Sequence, residues 1–245
     1  MIRILHIYHD LMSLYGDWAN AAVLVMELNS CGVDAVIDKK SVGDELDFES
    51  YDFVYIGSGT ERSLVACISD IMRHKASLIG RIEEGMHVLA TGNSHEIFGM
   101  AVTDAKGGRH EALGLLNFET IQGGGRITGD CVCNTAFLQE KLIGFINRAS
   151  KGQVGDIQRP FVHELGSGAN DETNTEGIQY ENVLGTYMTG PVLVRNPPLL
   201  KYFAGKLIGA RAEEIAERSI PFFTFQEDAY RKALGELAMR MAAAN

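Results

Sequence analysis

Two glycine-rich turns, each directly after an apolar run, carry the residues best suited to chemistry. Gly57-Ser58-Gly59 follows Phe53 to Ile56, and Gly92-Asn93-Ser94-His95-Glu96 follows Met86 to Thr91. Backbone amides in such turns are presented at a strand end, which gives Gly57 and Gly59 a candidate place in a binding site. The alternative for both is a tight turn that requires positive φ. Ser94 and His95 offer a hydroxyl beside an imidazole, a superficial likeness to a nucleophile elbow. Yet Glu96 stands where that motif needs glycine. The same two residues fit a polar turn at a helix start. Arg126, after Gly123-Gly124-Gly125, can pair bidentately with a carboxylate or stand as a solvated strand-edge charge. The four cysteines, Cys31, Cys67, Cys131 and Cys133, lack the paired spacing of a zinc site, and none sits in a glycine-rich turn after a strand. Apart from His95, the histidines show no ligand spacing, and no cofactor is expected.

The elements that must hold these turns are legible as periodicity. An alternating run at Met1 to Tyr8 reads as a first strand. Ala21, Leu24, Val25 and Leu28 share one face of a helix from Trp18 to about Asn29, ended by Gly32 as a left-handed residue. A short strand is expected at Val33 to Ile37, a third at Phe53 to Ile56, a helix through Leu64, Ile68, Ile71 and Met72, and a fourth strand at Met86 to Thr91. Strands alternating with helices imply right-handed crossovers and a parallel sheet covered on both faces, with ligands at the carboxyl ends of the strands. Both glycine turns fall at such ends.

The second half differs. Thr120 to Cys133, Val162 to Leu165 and Ile178 to Met188 read as strands between polar loops, which suggests antiparallel additions to the sheet. The longest loop, Gly166 to Gly177, has the character of a functional segment. Asn196-Pro197-Pro198 opens a helix. A C-terminal helix from about Gln226 to Ala244 places Tyr230, Ala233, Leu234, Leu237 and Met241 on one face, by helical spacing. The expected fold class is therefore α/β: a mostly parallel, doubly wound sheet in one domain spanning residues 1–245.

The chain has 245 residues, of which 46% are hydrophobic and 22% charged, an ordinary globular profile. Its formal net charge of -10 argues against nucleic acid or an anionic membrane surface as the main partner. No run of about 18 apolar residues is present, so membrane insertion is not expected, and the N-terminal segment without a basic leader suggests a cytoplasmic location.

Three segments in order resemble the class I glutamine amidotransferases, in particular the GatD-type glutaminase subunit of lipid II isoglutaminyl synthase and, more distantly, the glutaminase domains of cobyric acid and cobyrinic acid amide synthases. They are Ser13-Leu14-Tyr15-Gly16-Asp17 with Asn20, Gly57-Ser58-Gly59-Thr60-Glu61-Arg62, and Leu184-Gly185-Thr186-Tyr187-Met188-Thr189-Gly190-Pro191 with Asn196-Pro197. The resemblance implies a flavodoxin-like sheet, a cysteine nucleophile at the turn after the fourth strand, and a histidine base in the final signature. In this sequence Gly92 stands at the cysteine position and Thr189 at the histidine position. Glycine cannot form a thioester, and threonine cannot move protons near neutral pH.

The resemblance also implies that Arg126 faces the substrate carboxylate, that Asn93 and Glu96 line the pocket, with Glu96 where relatives carry glutamine, and that Asn170 and Glu176-Gly177 belong to the loop before the histidine strand. The leading expectation is a chain that does not hydrolyse glutamine, working as partner subunit or binding module to a Mur-ligase-type ATP-dependent synthetase, with peptidoglycan precursor amidation as the inherited setting. Two alternatives stand beside it: a hydrolase rearranged around Ser94 and His95, and a sensor that holds glutamine or another small carboxylate through Arg126.

Overall fold

The computed structural model describes residues 1–152, 155, 157–169, 173–209 and 224–244. Its central sheet has the order β11-β12-β4-β3-β1-β2, built from β1 (Ile2–Ile7), β2 (Ala35–Lys40), β3 (Phe53–Ile56), β4 (His87–Thr91), β11 (Ile178–Tyr180) and β12 (Val183–Thr186). All neighbours are parallel except the edge pair β11–β12. A parallel sheet covered on both faces needs unbroken apolar strands rather than alternating ones. Phe53–Ile56 and Val183–Thr186 are buried at every position.

One face of this sheet is covered by α2 (Glu61–Ile71) and α3 (Lys75–Glu83), the other by α1 (Trp18–Ser30), α4 (Val192–Arg195) and α5 (Pro197–Ile208). The helix boundaries follow from capping. Thr60 Oγ1 accepts from the Ser63 amide at 3.1 Å, which satisfies a free donor at the start of α2. At the end of α1, Gly32 has φ 76°. This lets its own amide reach Asn29 O and the Val33 amide reach Leu28 O, a Schellman turn. That turn absorbs Val33, so the second strand begins at Ala35, two residues later than periodicity suggests.

The additions of the second half take two forms, antiparallel throughout except for the parallel pair of the fifth and seventh strands. Only β11 joins the central sheet; the rest form a second, seven-stranded sheet of β5 (Ala101–Thr103), β6 (Arg109–Glu111), β7 (Glu119–Asn134), β8 (Leu142–Gly152), β9 (Phe161–Leu165), β10 (Thr175–Glu176) and β13 (Met188–Thr189). The expected single strand from Ile178 to Met188 is three pieces: the chain reverses at Glu181, whose φ is 46°, and leaves the central sheet at Tyr187. Strand β8 has no counterpart in the sequence reading, because Gly144, Asn147, Arg148 and Ser150 interrupt its apolar residues. Its pairing with β7 over ten residue pairs supplies the stabilisation that local propensity does not.

The C-terminal helix α6 (Thr224–Ala244) lays Tyr230, Ala233, Leu234, Leu237 and Met241 against Val132 and Ile143 of the second sheet, the face expected from spacing. Asn170 lies outside the described residues. No helix among the described residues is long and apolar enough to cross a membrane.

Candidate functional site

The sheet order brings three strand ends side by side. Ile56 of β3 pairs with Ala90 of β4, and Thr91 of β4 pairs with Thr186 of β12, although most of the second sheet lies between those last two strands in sequence. The turns after β3 and β4 and the segment after β12 therefore converge at the carboxyl edge, where the switch-point rule places ligands. Asn20 of α1 fastens them from behind. Its amide nitrogen donates to Tyr55 Oη at 2.7 Å and Gly190 O at 3.2 Å, its oxygen accepts from the Leu193 amide at 2.7 Å, and Tyr55 Oη bonds Thr91 Oγ1 at 2.8 Å.

Gly92 opens a short 3-10 turn, Gly92–Phe98, with φ 63°. That left-handed conformation favours glycine. The space beside it is filled. A Cβ added at Gly92 would lie closer than 3.0 Å to Ser58 Cβ, and 3.3 Å from Ser58 Oγ. The Ser58 hydroxymethyl group thus stands where a side chain on residue 92 would have to go. Ser58 is fixed by Asp17, whose Oδ2 accepts from the Ser58 amide at 2.5 Å and from Ser58 Oγ. Asp17 is fully buried at the start of α1, and burial pushes its carboxyl up to about 7 against the lowering pull of the Ser58 hydroxyl and amide, because a low-dielectric site disfavours the charged form. The Gly190 backbone amide adds a further, smaller pull in the same lowering direction.

Of the two amides expected to face the cleft, that of Gly59 is also engaged. The Gly59 amide donates to Asn93 Oδ1 at 3.0 Å, and Asn93 Nδ2 donates back to Gly59 O at 3.0 Å, a two-bond clamp across the turn. Neither Gly57 nor Gly59 has positive φ; both are required because the loop before α1 packs against them, a Cβ on Gly57 meeting Met12 O and one on Gly59 meeting Met12 Sδ, each closer than 3.0 Å. Thr189 is buried in β13 and donates its hydroxyl to Phe145 O at 3.1 Å.

Ser94 is buried with no exposed surface, and its hydroxyl lies 2.9 Å from Ile56 O and 2.8 Å from Thr91 O. This is a backbone staple between β3 and β4, not a hydroxyl facing the cleft. His95 turns away from it: Nδ1 lies 2.8 Å from Gly92 O, and its ring stacks edge-on against Tyr187 with centroids 4.2 Å apart. Burial lowers the imidazole to about 4, leaving it neutral.

Beneath the turn lies a buried polar layer. Glu96 accepts from Ser150 Oγ, and burial raises its carboxyl to about 7. Arg148, equally buried, lies over the Tyr187 ring at 4.5 Å and donates to Ser150 O, to Ala169 O at 3.0 Å and to Gly168 O at 2.5 Å. Glu176 accepts from Thr186 Oγ1 at 2.5 Å and the Tyr187 amide at 2.7 Å, with His163 Nε2 at 3.8 Å. Burial would raise its carboxyl, but these partners outweigh it and hold it below the usual range.

Above the turn is an open cleft of about 280 Å³ whose lining includes Tyr15, Ser58, Gly59, Glu61, Asn93 and Arg126. Arg126 spans it, donating to Asn147 Oδ1 at 2.7 Å and Glu61 Oε1 at 3.0 Å, with its side chain 47% exposed. A guanidinium and a carboxylate on facing walls match the two charges of an α-amino acid. The fold therefore brings Gly57, Gly59, Gly92, Asn93 and Arg126 together, places Glu96 below the floor, and leaves Ser94 and Thr189 tied to backbone carbonyls. Sequence reasoning missed Asp17, Ser58 and the β8 wall of Asn147, Arg148 and Ser150. Asp17 and Ser58 were visible within the glycine-turn segments; the β8 residues carried no signal without their strand. Among the described residues no group of three or more His, Cys, Asp and Glu is placed to hold a metal ion.

Comparison with known proteins agrees with this fold. The family described as CobB/CobQ-like glutamine amidotransferase domain matches residues 3–197. Among curated proteins, the lipid II isoglutaminyl synthase (glutamine-hydrolyzing) subunit GatD of Streptococcus pneumoniae (strain ATCC BAA-255 / R6) is 32% identical over 202 residues, covering 81% of this chain and 77% of that one. The subunit of the same name from Staphylococcus aureus (strain N315) is 28% identical over 210 residues, 84% of each chain. Among solved structures, a glutamine amidotransferase superposes with a TM-score of 0.56 at 15% identity, covering 84% of this chain and 99% of that one. Another from Thermotoga maritima gives 0.51 at 14% identity, covering 98% and 96%. At that identity the superpositions speak for the fold alone.

Proposed function

We propose, from the premise that this chain belongs to the CobB/CobQ-like glutamine amidotransferase domain family, that it has kept the family's cleft and lost the family's thiol chemistry. It acts as the non-hydrolysing, amidotransferase-fold subunit or binding module of a Mur-ligase-type amidating synthetase, in the setting of lipid II amidation that its GatD relatives' names describe. The observation that carries this reading is the filled space at Gly92. A chain that had lost only its nucleophile would leave a gap there, whereas Ser58, Asp17 and Asn93 close both the nucleophile's place and the Gly59 amide beside it. Thr189, bonded to a strand carbonyl, offers no base in compensation.

The cleft above that floor supports retained recognition of glutamine or another small carboxylate through Arg126. Arg126 needs only to exchange Glu61 for the ligand's carboxylate, and Glu61 is then released to meet an ammonium group. The reading is tested by co-expressing the chain with a candidate Mur-ligase-type synthetase and following complex formation by size-exclusion chromatography. A stable complex that amidates with ammonia but gains nothing from glutamine supports it; a chain that never associates removes the subunit role.

A further inference from the structure

The Ser58 hydroxyl is a chemical group as well as filling. It replaces the volume of a nucleophile side chain on residue 92, it lines the cleft, and it donates to a buried carboxylate. Asp17 Oδ2 is buried and lies directly along the Ser58 Oγ hydrogen bond, so the hydroxyl proton has a carboxylate oxygen to pass to without any movement of the loop. The base is held in place by the Ser58 amide, and these relations match a nucleophile beside its base. We propose that Ser58 and Asp17 form a reactive pair in which Ser58 Oγ accepts acyl groups from activated acyl compounds, aryl esters or thioesters, that enter the cleft.

Ser58 Oγ bonds to the acyl carbon while its proton passes to Asp17; the acyl C–O or C–S bond breaks, and the departing oxygen or sulfur carries off the electron pair and takes the proton from Asp17. Water, deprotonated by Asp17, then attacks the Ser58 ester, releasing the carboxylic acid and restoring the hydroxyl. A carboxyl group raised toward neutrality by burial is suited to both directions of this transfer.

The same geometry sets the substrate class. The Ser58 amide is bound to Asp17 and the Gly59 amide to Asn93, so neither can serve a developing oxyanion as placed. Loss of one such donor lowers a rate by roughly 100- to 1000-fold. Amides, glutamine included, need that help and a protonated leaving amine; activated esters and thioesters need far less. This pair is separate from the subunit role, and the two can fail independently: glutamine turnover and complex formation test the role, and covalent capture tests the pair.

The test uses the full chain with p-nitrophenyl acetate and a fluorophosphonate probe, with mass spectrometry to locate the adduct. The expected result is an adduct on Ser58, abolished in Ser58→Ala, with labelling and ester turnover slowed roughly 100-fold or more in Asp17→Asn. Asparagine keeps an oxygen acceptor for the Ser58 amide, and a cooperative thermal melt well above the assay temperature shows that the variant is folded. No adduct on Ser58, or labelling unchanged in folded Asp17→Asn, would overturn the proposal and leave Ser58 as filling alone.

Discussion

Gly92→Cys, which puts a thiol at the position proposed for the family's nucleophile, is expected to destabilise the protein without giving it a usable thiol. Two effects add. Gly92 sits in the left-handed region. A non-glycine residue in that conformation costs roughly 1–2 kcal/mol. The new Cβ also falls closer than 3.0 Å to Ser58 Cβ. Relieving such overpacking in a tight core costs roughly 1–3 kcal/mol. The sum, roughly 2–5 kcal/mol, corresponds to a melting point lowered by roughly 5–20 °C for a chain of this size. Adding Ser58→Gly removes the overlap but not the backbone strain, so the double-mutant cycle should show a favourable coupling of about 1–3 kcal/mol. Denaturant titration of the four proteins measures the coupling, and a maleimide titration reads whether the introduced thiol opens to the cleft only in the double variant. If the single variant melts with the parent, or the coupling is zero, then Ser58 does not occupy the nucleophile's place and the reasoning fails.

Ser94→Ala strips a buried hydroxyl from two carbonyls. It should cost about 1–3 kcal/mol in urea unfolding and leave any turnover of the chain unchanged. The ion pair of Arg126 with Glu61 is solvent-exposed. Arg126→Ala should therefore leave stability within about 1 kcal/mol of the parent, yet abolish calorimetric binding of glutamine or a related amino acid; binding that survives would take Arg126 out of the ligand site. Asp17 has a folded-state pKa raised from 3.8 to about 7, so its stabilising contribution is fully present below about pH 4 and is lost as pH rises through about 7. The stability of the parent relative to Asp17→Asn should therefore fall by up to about 4 kcal/mol across that window, a difference in which the other titrating groups cancel. A pH-independent difference would mean that Asp17 is not held in a desolvated site.

The parts of the fold set by local periodicity were legible from the chain alone. Strand Phe53–Ile56, helix α1 and the docking face of α6 follow from which residues must be buried, and Gly32 marks a helix end that only its φ explains. What pairing decides was not legible. Strand β8 owes its existence to β7, and the division of Ile178 to Met188 between two sheets depends on a reversal at Glu181-Asn182, a polar break too short to read as a turn by itself. The site divides in the same way. Gly92 and Thr189 were singled out by their place in the motifs, but the filling of the space beside Gly92 depends on Ser58 reaching across from a neighbouring strand end. Gly57 and Gly59 drew attention as amide donors, whereas their demonstrable role is to let the Met12 loop approach.

The most direct test of the central claim is the release of glutamate and ammonia from glutamine by the purified chain, alone and with a candidate Mur-ligase-type synthetase. On the proposed reading the nucleophile position of the cleft is glycine and its base position threonine, and the Gly59 amide is clamped by Asn93. Such a cleft should release neither product above the uncatalysed background in either case. Glutamine turnover in either case would contradict that account and require a working nucleophile in this cleft.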